Sequence, residues 1–218
     1  MPGAGPTGPA ESESVVSETS GKRKGDPIKE MFLLAALYLP LGFFLWFISA
    51  SLLMFPTARL SEFLLTTVFG DVFDQVVQLG FKLEIQTTVV MQQLVEGRRV
   101  AVNIFINPMI YAWGMALLFG LIMATPLGVR KRLVQMAIGF LVVTLVATWG
   151  VFWETLTDLA FRSGPEAAAA ARGLGVNMNL IALFYQMGFL MFPAVIPVAT
   201  WILMNRRFIE NDVLRRRL

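Results

Sequence analysis

Four long stretches of the chain carry no charged residue: 31–55, 108–126, 133–153 and 180–204. A lipid hydrocarbon core ~30 Å thick is crossed by a helix of ~20 apolar residues. Backbone polar groups left unpaired in lipid are too costly for such stretches to be anything but helical there. Composition agrees, since 56% hydrophobic residues and a mean hydropathy of +0.65 exceed what a soluble domain carries. The expected fold is mainly α: a polytopic membrane protein with a four-helix transmembrane bundle in a membrane domain spanning 31–204.

The basic residues predict its orientation. Lys22, Arg23, Lys24 and Lys29 precede the first stretch, and Arg130, Lys131 and Arg132 fill the short turn between the second and third. Arg206, Arg207, Arg215, Arg216 and Arg217 follow the fourth. The other two connections are longer but hold only Arg59, Lys82, Arg98 and Arg99, then Arg162 and Arg172. Lys and Arg resist translocation, so both termini are expected in the cytoplasm. The net charge of +3 is this topology signal, with membrane lipid as the partner and no nucleic acid. The C-terminal arginines are expected to rest on anionic headgroups.

Residue types narrow the chemistry further. The chain has no cysteine and no histidine. Disulfides, thiolate metal sites and cysteine nucleophiles are excluded, as are imidazole bases and ligands. No catalytic residue, metal or cofactor is expected.

Outside the apolar stretches, residues 1–28 are rich in Gly, Pro, Ser and Glu and are expected to be disordered; 205–218 form a basic tail. The first stretch reads as a signal anchor, with Pro40 bending it. After Pro56, Leu60, Phe63, Leu64, Val68, Val72, Phe73, Val76 and Leu79 recur at helical spacing, predicting an amphipathic helix that stops at Gly80. Phe81, Leu83 and Ile85 then alternate with polar residues. A polar turn, Glu96–Gly97–Arg98–Arg99, leads to Val100, Val102 and Ile104, again alternating, which predicts a β-hairpin. A lone hairpin is marginal in water, so these six apolar residues are the candidate external interface of a helix and hairpin module over 57–106. They would pack on the amphipathic helix or on a partner.

Within the second stretch Ala112, Ala116, Gly120 and Ala124 fall four apart, a small-residue stripe expected to pack inside the bundle. Trp149 and Trp153 close the third stretch as interface anchors. Glu154, Asp158 and Arg162 share a helix face beyond them. They read as a solvated face with an Asp158–Arg162 pair, and Glu154 with Asp158 are weak acid/base candidates. A short external helix is expected over 154–175. In the fourth stretch Pro193 and Pro197 predict a kink in its lower part. Gln186, read as the most polar side chain within a span, is expected to bury its amide in an interhelical hydrogen bond.

One set of residues carries a resemblance. LYLPLGFFLWF in the first stretch, the following proline, the alternating strands, and INPMIYAWGMALLFGLIMATP resemble the exosortase H-associated membrane proteins over roughly 31–204. The most specific part is Asn107–Pro108 with Tyr111, Gly114 and the closing Thr125–Pro126. The resemblance implies a small bacterial inner-membrane protein acting beside a membrane transpeptidase that recognises C-terminal sorting signals. Exosortases resemble cysteine transpeptidases, so a chain without Cys or His is not the sorting enzyme itself. The expected function is a non-catalytic accessory role toward an exosortase or its sorted substrate, through the external module. A small transporter or channel and a membrane-face hydrolase using Glu154 and Asp158 are the alternatives.

Overall fold

The computed structural model describes residues 27–92 and 99–210. The tail expected to be disordered, up to residue 26, the turn Glu96–Gly97–Arg98 and the basic residues after 210 lie outside the described residues.

Helices α1 (Pro27–Ile48) and α2 (Ala50–Phe69) are nearly continuous. Only Ser49 interrupts them, donating its N–H to the Leu45 carbonyl and accepting from Leu53 N–H at 3.0 Å. Three antiparallel strands follow in the order β1-β2-β3: β1 (Phe73–Leu79), β2 (Lys82–Gln92) and β3 (Arg99–Ile106). A short α3 (Met109–Ala112) leads into α4 (Gly114–Ala124), then α5 (Val129–Phe161) and α6 (Pro165–Gly173). The last helical stretch is α7 (Met178–Gln186), a π-helical turn (Met187–Met191), α8 (Phe192–Met204) and the single turn α9 (Arg206–Phe208).

The longest element organises the others. Helix α5 has 33 residues, about 50 Å at ~1.5 Å per residue, which exceeds the ~30 Å of lipid hydrocarbon. Near its start Gln135 meets Asn205, and Gly139 lies against Leu118 of α4. Near its end Phe152 stacks on Phe69 of α2 and Glu154 meets Tyr111 of α3. There α6 and β3 also pack on it. Helix α6 turns Ala167 and Ala171, one turn apart, into the core.

Four helices are long and apolar enough to cross a membrane: Lys29–Ile48, Ala50–Phe69, Val129–Phe161 and Met178–Met204. This set differs from the sequence expectation. The stretch 31–55 runs across the Ser49 break, and the helix at Met109–Ala124 is shorter because β3 and Thr125–Pro126 hem it in. It is nonetheless central, packing on α1, α5 and α8. The outer surface carries large apolar side chains, with Leu33 75%, Phe47 68%, Leu52 77% and Leu203 74% exposed. A soluble monomer rarely shows so much apolar surface, whereas lipid favours it. Helix α2 turns Thr57, Ala58 and Ser61 inward and leaves Phe63 and Val68 exposed.

The amphipathic helix expected to reach Gly80 ends at Phe69, and the expected hairpin is a three-stranded sheet. A β-bulge explains the difference. Phe73 pairs with Thr87 but Gln75 with Gln86, so an extra residue in β1 puts Phe73 and Val76, three apart, on the same buried face. That spacing imitates a helical turn. Gly80, at φ +65°, makes the tight β1–β2 turn instead of stopping a helix.

The six apolar strand residues divide between the core and the surface. Leu83, Ile85, Val102 and Ile104 are buried in the core, and only Phe81 and Val100 are exposed. Helices α2, α5 and α6 pack against the strands and cover this apolar face. In the last stretch the main irregularity lies near its middle, just before the prolines, where a kink was expected in its lower part. Pro193 has no N–H to donate back into the preceding turn, and the wider π turn at Met187–Met191 lies directly upstream.

Glycines let the helices close. A Cβ on Gly42 would stand 2.9 Å from the Ala116 carbonyl oxygen, and one on Gly150 would come within 2.2 Å of the Tyr111 ring carbons. Gly150→Ala is therefore expected to cost about 1–3 kcal/mol by overpacking, seen as a lowered unfolding temperature in detergent. Gly128→Ala, where nothing lies within 4 Å of the new methyl, leaves it unchanged.

Candidate functional site

The motif residues of α3 and α4 lie along their contacts with α5 and α8. Asn107 Oδ1 caps the helix by accepting from Met109 N–H at 3.2 Å, and Pro108 follows at φ −64°, already helical. One turn on, Tyr111 is fully buried and its hydroxyl donates to Glu154 Oε2 at 2.9 Å. Gly114 lies against Pro197 and the Pro193 carbonyl of α8, where a Cβ would come within 2.5 Å of that oxygen. At the far end Trp201 Nε1 donates to Thr125 Oγ1 at 2.9 Å, and that hydroxyl donates to the Leu121 carbonyl at 2.7 Å. Pro126 then leaves the helix, exposed.

The small-residue stripe lies on the same helix pair. Ala112, Ala116, Gly120 and Ala124 are buried, with Ala116 facing Gly42 and Gly120 facing Leu39 of α1.

Beyond Tyr111, α5 presents its carboxylates to two different partners. Glu154 accepts from Tyr111, whereas Asp158 accepts from Arg162 Nη1 at 2.6 Å. The Arg162 guanidinium also lies 5.5 Å from the centroid of the Tyr185 ring. The neighbouring Tyr185 and Asp158 side chains push this guanidinium above its ordinary range. Aromatic rings close the cluster: Trp153 and Phe184 are 4.7 Å apart between centroids, and Trp149 Nε1 donates to the Phe184 carbonyl at 3.3 Å. Among the described residues no group of three or more Asp, Glu, His or Cys is arranged to hold a metal.

The sheet has a second face, and it is open. Glu84 accepts from Asn103 Nδ2 at 2.6 Å, and Gln86 Oε1 accepts from Gln75 Nε2 at 2.7 Å, forming a ladder of polar side chains across the strands. Phe105 stands in this surface at 61% exposure.

Gln186 departs from expectation. Its side chain is exposed, and among the described residues no hydrogen bond to another helix engages it. The buried amides are elsewhere. Gln135 Nε2 donates to Asn205 Oδ1 at 2.9 Å and Asn205 Nδ2 returns a bond to Gln135 Oε1 at 3.2 Å, joining α5 to the end of α8. Gln135 was visible as an amide inside an uncharged stretch. Its partner, 70 residues away, was not.

The chain matches the family described as exosortase H-associated membrane protein over residues 25–208. It belongs to that family. No curated protein and no solved structure matches it. This member of the exosortase H-associated family is thus a membrane protein with several apolar helices and a small sheet, its Asn107-to-Pro126 motif residues lying along the packing of the central helix.

The Tyr111–Glu154 bond is testable by a double-mutant cycle. Tyr111→Phe leaves a half-buried carboxylate without its donor and is expected to cost ~1–3 kcal/mol. In a Glu154→Leu background the same change costs measurably less, read as unfolding free energy in detergent.

Proposed function

We propose that this chain is a non-catalytic accessory subunit of an exosortase-type sorting system, and that it acts through the open face of its sheet. In this reading α1, α3–α4, α5 and α7–α8 cross the inner membrane, with both termini in the cytoplasm and the sheet on the opposite side. The cations at the start of α5 and the length of that helix support this orientation. Helix α2 does not cross. Both of its ends adjoin the strand module: Gln78 Nε2 donates to the Ser51 carbonyl at 2.7 Å, and the Phe69 and Phe73 rings are 6.4 Å apart.

The observation that carries the proposal is the two-sided sheet. One face is consumed by the chain's own helices, and the other presents Phe105 among the Gln75, Glu84, Gln86 and Asn103 side chains. An aromatic anchor framed by polar groups is the usual chemistry of a protein contact. The partner is an exosortase or the exported protein it sorts, in keeping with the family. The hydrolase alternative gains no support, because Glu154 and Asp158 are each held by a separate partner. A transport pathway gains none from Gln186, which faces outward.

Capture of a partner exosortase by the tagged full chain tests the proposal. The double variant Asn103→Arg, Phe105→Asp is expected to weaken capture by about 2 kcal/mol, roughly 30-fold in Kd. Arg172→Glu on the exposed surface of α6 leaves it intact. Equal capture by the sheet variant and the parent would reject the open face as the docking surface.

A further inference from the structure

At the end of the molecule opposite the sheet, the start of α5 and the end of α8 leave a groove of about 860 Å³ between them. Two segments far apart in sequence bring cations to it: Arg130 and Lys131 from α5, Arg206 and Arg207 from α9. Among the described residues one carboxylate answers them, Glu210, which accepts from Arg206 Nε at 2.6 Å. Arg132, the remaining cation of the α4–α5 turn, is directed elsewhere and donates to the Thr125 carbonyl at 3.4 Å.

The groove is not merely charged. Its base is the buried Gln135–Asn205 amide pair, whose reciprocal bonds fix the spacing of the two helices. Below the cations, away from the helix ends, Val134 and Ile138 of α5 and Leu203 of α8 line the walls, at 52%, 43% and 74% exposure. Cations over an apolar trough match a molecule with an anionic head and hydrocarbon tails. A soluble anion would leave the trough empty. A zwitterionic lipid would bring a cation of its own.

We propose that this groove is a specific binding site for one anionic phospholipid, its phosphate held by Arg130, Lys131, Arg206 and Arg207 and its acyl chains along Val134, Ile138 and Leu203. The bound lipid bridges α5 to α8 from outside, in parallel with the Gln135–Asn205 bond within. The site stands independently of the sheet-mediated partner contact.

Native mass spectrometry of the full chain, released from detergent micelles containing dioleoylphosphatidylglycerol or dioleoylphosphatidylcholine, tests this directly. One phosphatidylglycerol is expected to remain bound, at least tenfold tighter than phosphatidylcholine. Glycerol phosphate, the headgroup without tails, does not displace it. Replacing all four cations by Gln weakens retention about tenfold or more, whereas replacing Arg59, Lys82, Arg162 and Arg172 does not. Because loss of four cations can disturb insertion, Ile138→Trp is the companion variant: it keeps every charge and fills the trough, and it lowers retention likewise. Equal retention of the two lipids, equal loss in both charge variants, displacement by glycerol phosphate, or unchanged binding in Ile138→Trp would each overturn the site.

Discussion

Helix α5 is longer than lipid hydrocarbon is thick, so in the proposed arrangement its two ends meet different surroundings, and the rest of the chain suits each. Its basic start, with Arg130 and Lys131, suits headgroups and water. Its other end is enclosed by protein: Leu156 and Leu159 are fully buried in a core shared with Leu65, Phe73, Leu83 and Ile85. A helix end projecting from a membrane needs such a cover for its apolar side chains. The three-stranded sheet, α6 and the second half of α2 supply it.

Between those ends the bundle follows the physics of lipid. Apolar side chains point outward, where the solvent is equally apolar, and gain little by being buried against one another. Close approach of backbones therefore supplies the cohesion, and it falls where side chains are smallest: Gly42 on Ala116, Gly114 on Pro193 and Pro197, Gly150 on Tyr111. Polar bonds between helices then fix which helix faces which. Tyr111–Glu154, Trp201–Thr125 and Gln135–Asn205 tie α3, α4, α5 and α8 together at three levels.

Sequence made the solvent and the family legible because both are written in local runs: uncharged stretches, small residues four apart, and the Asn107–Pro108 start of the central helix. It failed where a local pattern had two readings. The β1 bulge puts Phe73 and Val76 three residues apart on the buried face, so a strand carries a helical period. Alternation in β2 and β3 identified an apolar face and the helix after Pro56 as one cover for it, but not α6 and the end of α5, which come from far along the chain. The same limit hid Asn205 behind Gln135, while Gln186, conspicuous in the sequence, turned out to face away from the other helices.

In the proposed arrangement the opposite ends of α5 lie on opposite sides of a membrane. The natural absence of cysteine allows a clean test with single reporters, Gly128→Cys at the basic end and Asn103→Cys on the open sheet face. In sealed right-side-out vesicles, a membrane-impermeant maleimide should label Asn103→Cys at once and Gly128→Cys only after permeabilisation. Labelling of both from the same side, or of Gly128→Cys alone in sealed vesicles, would contradict it.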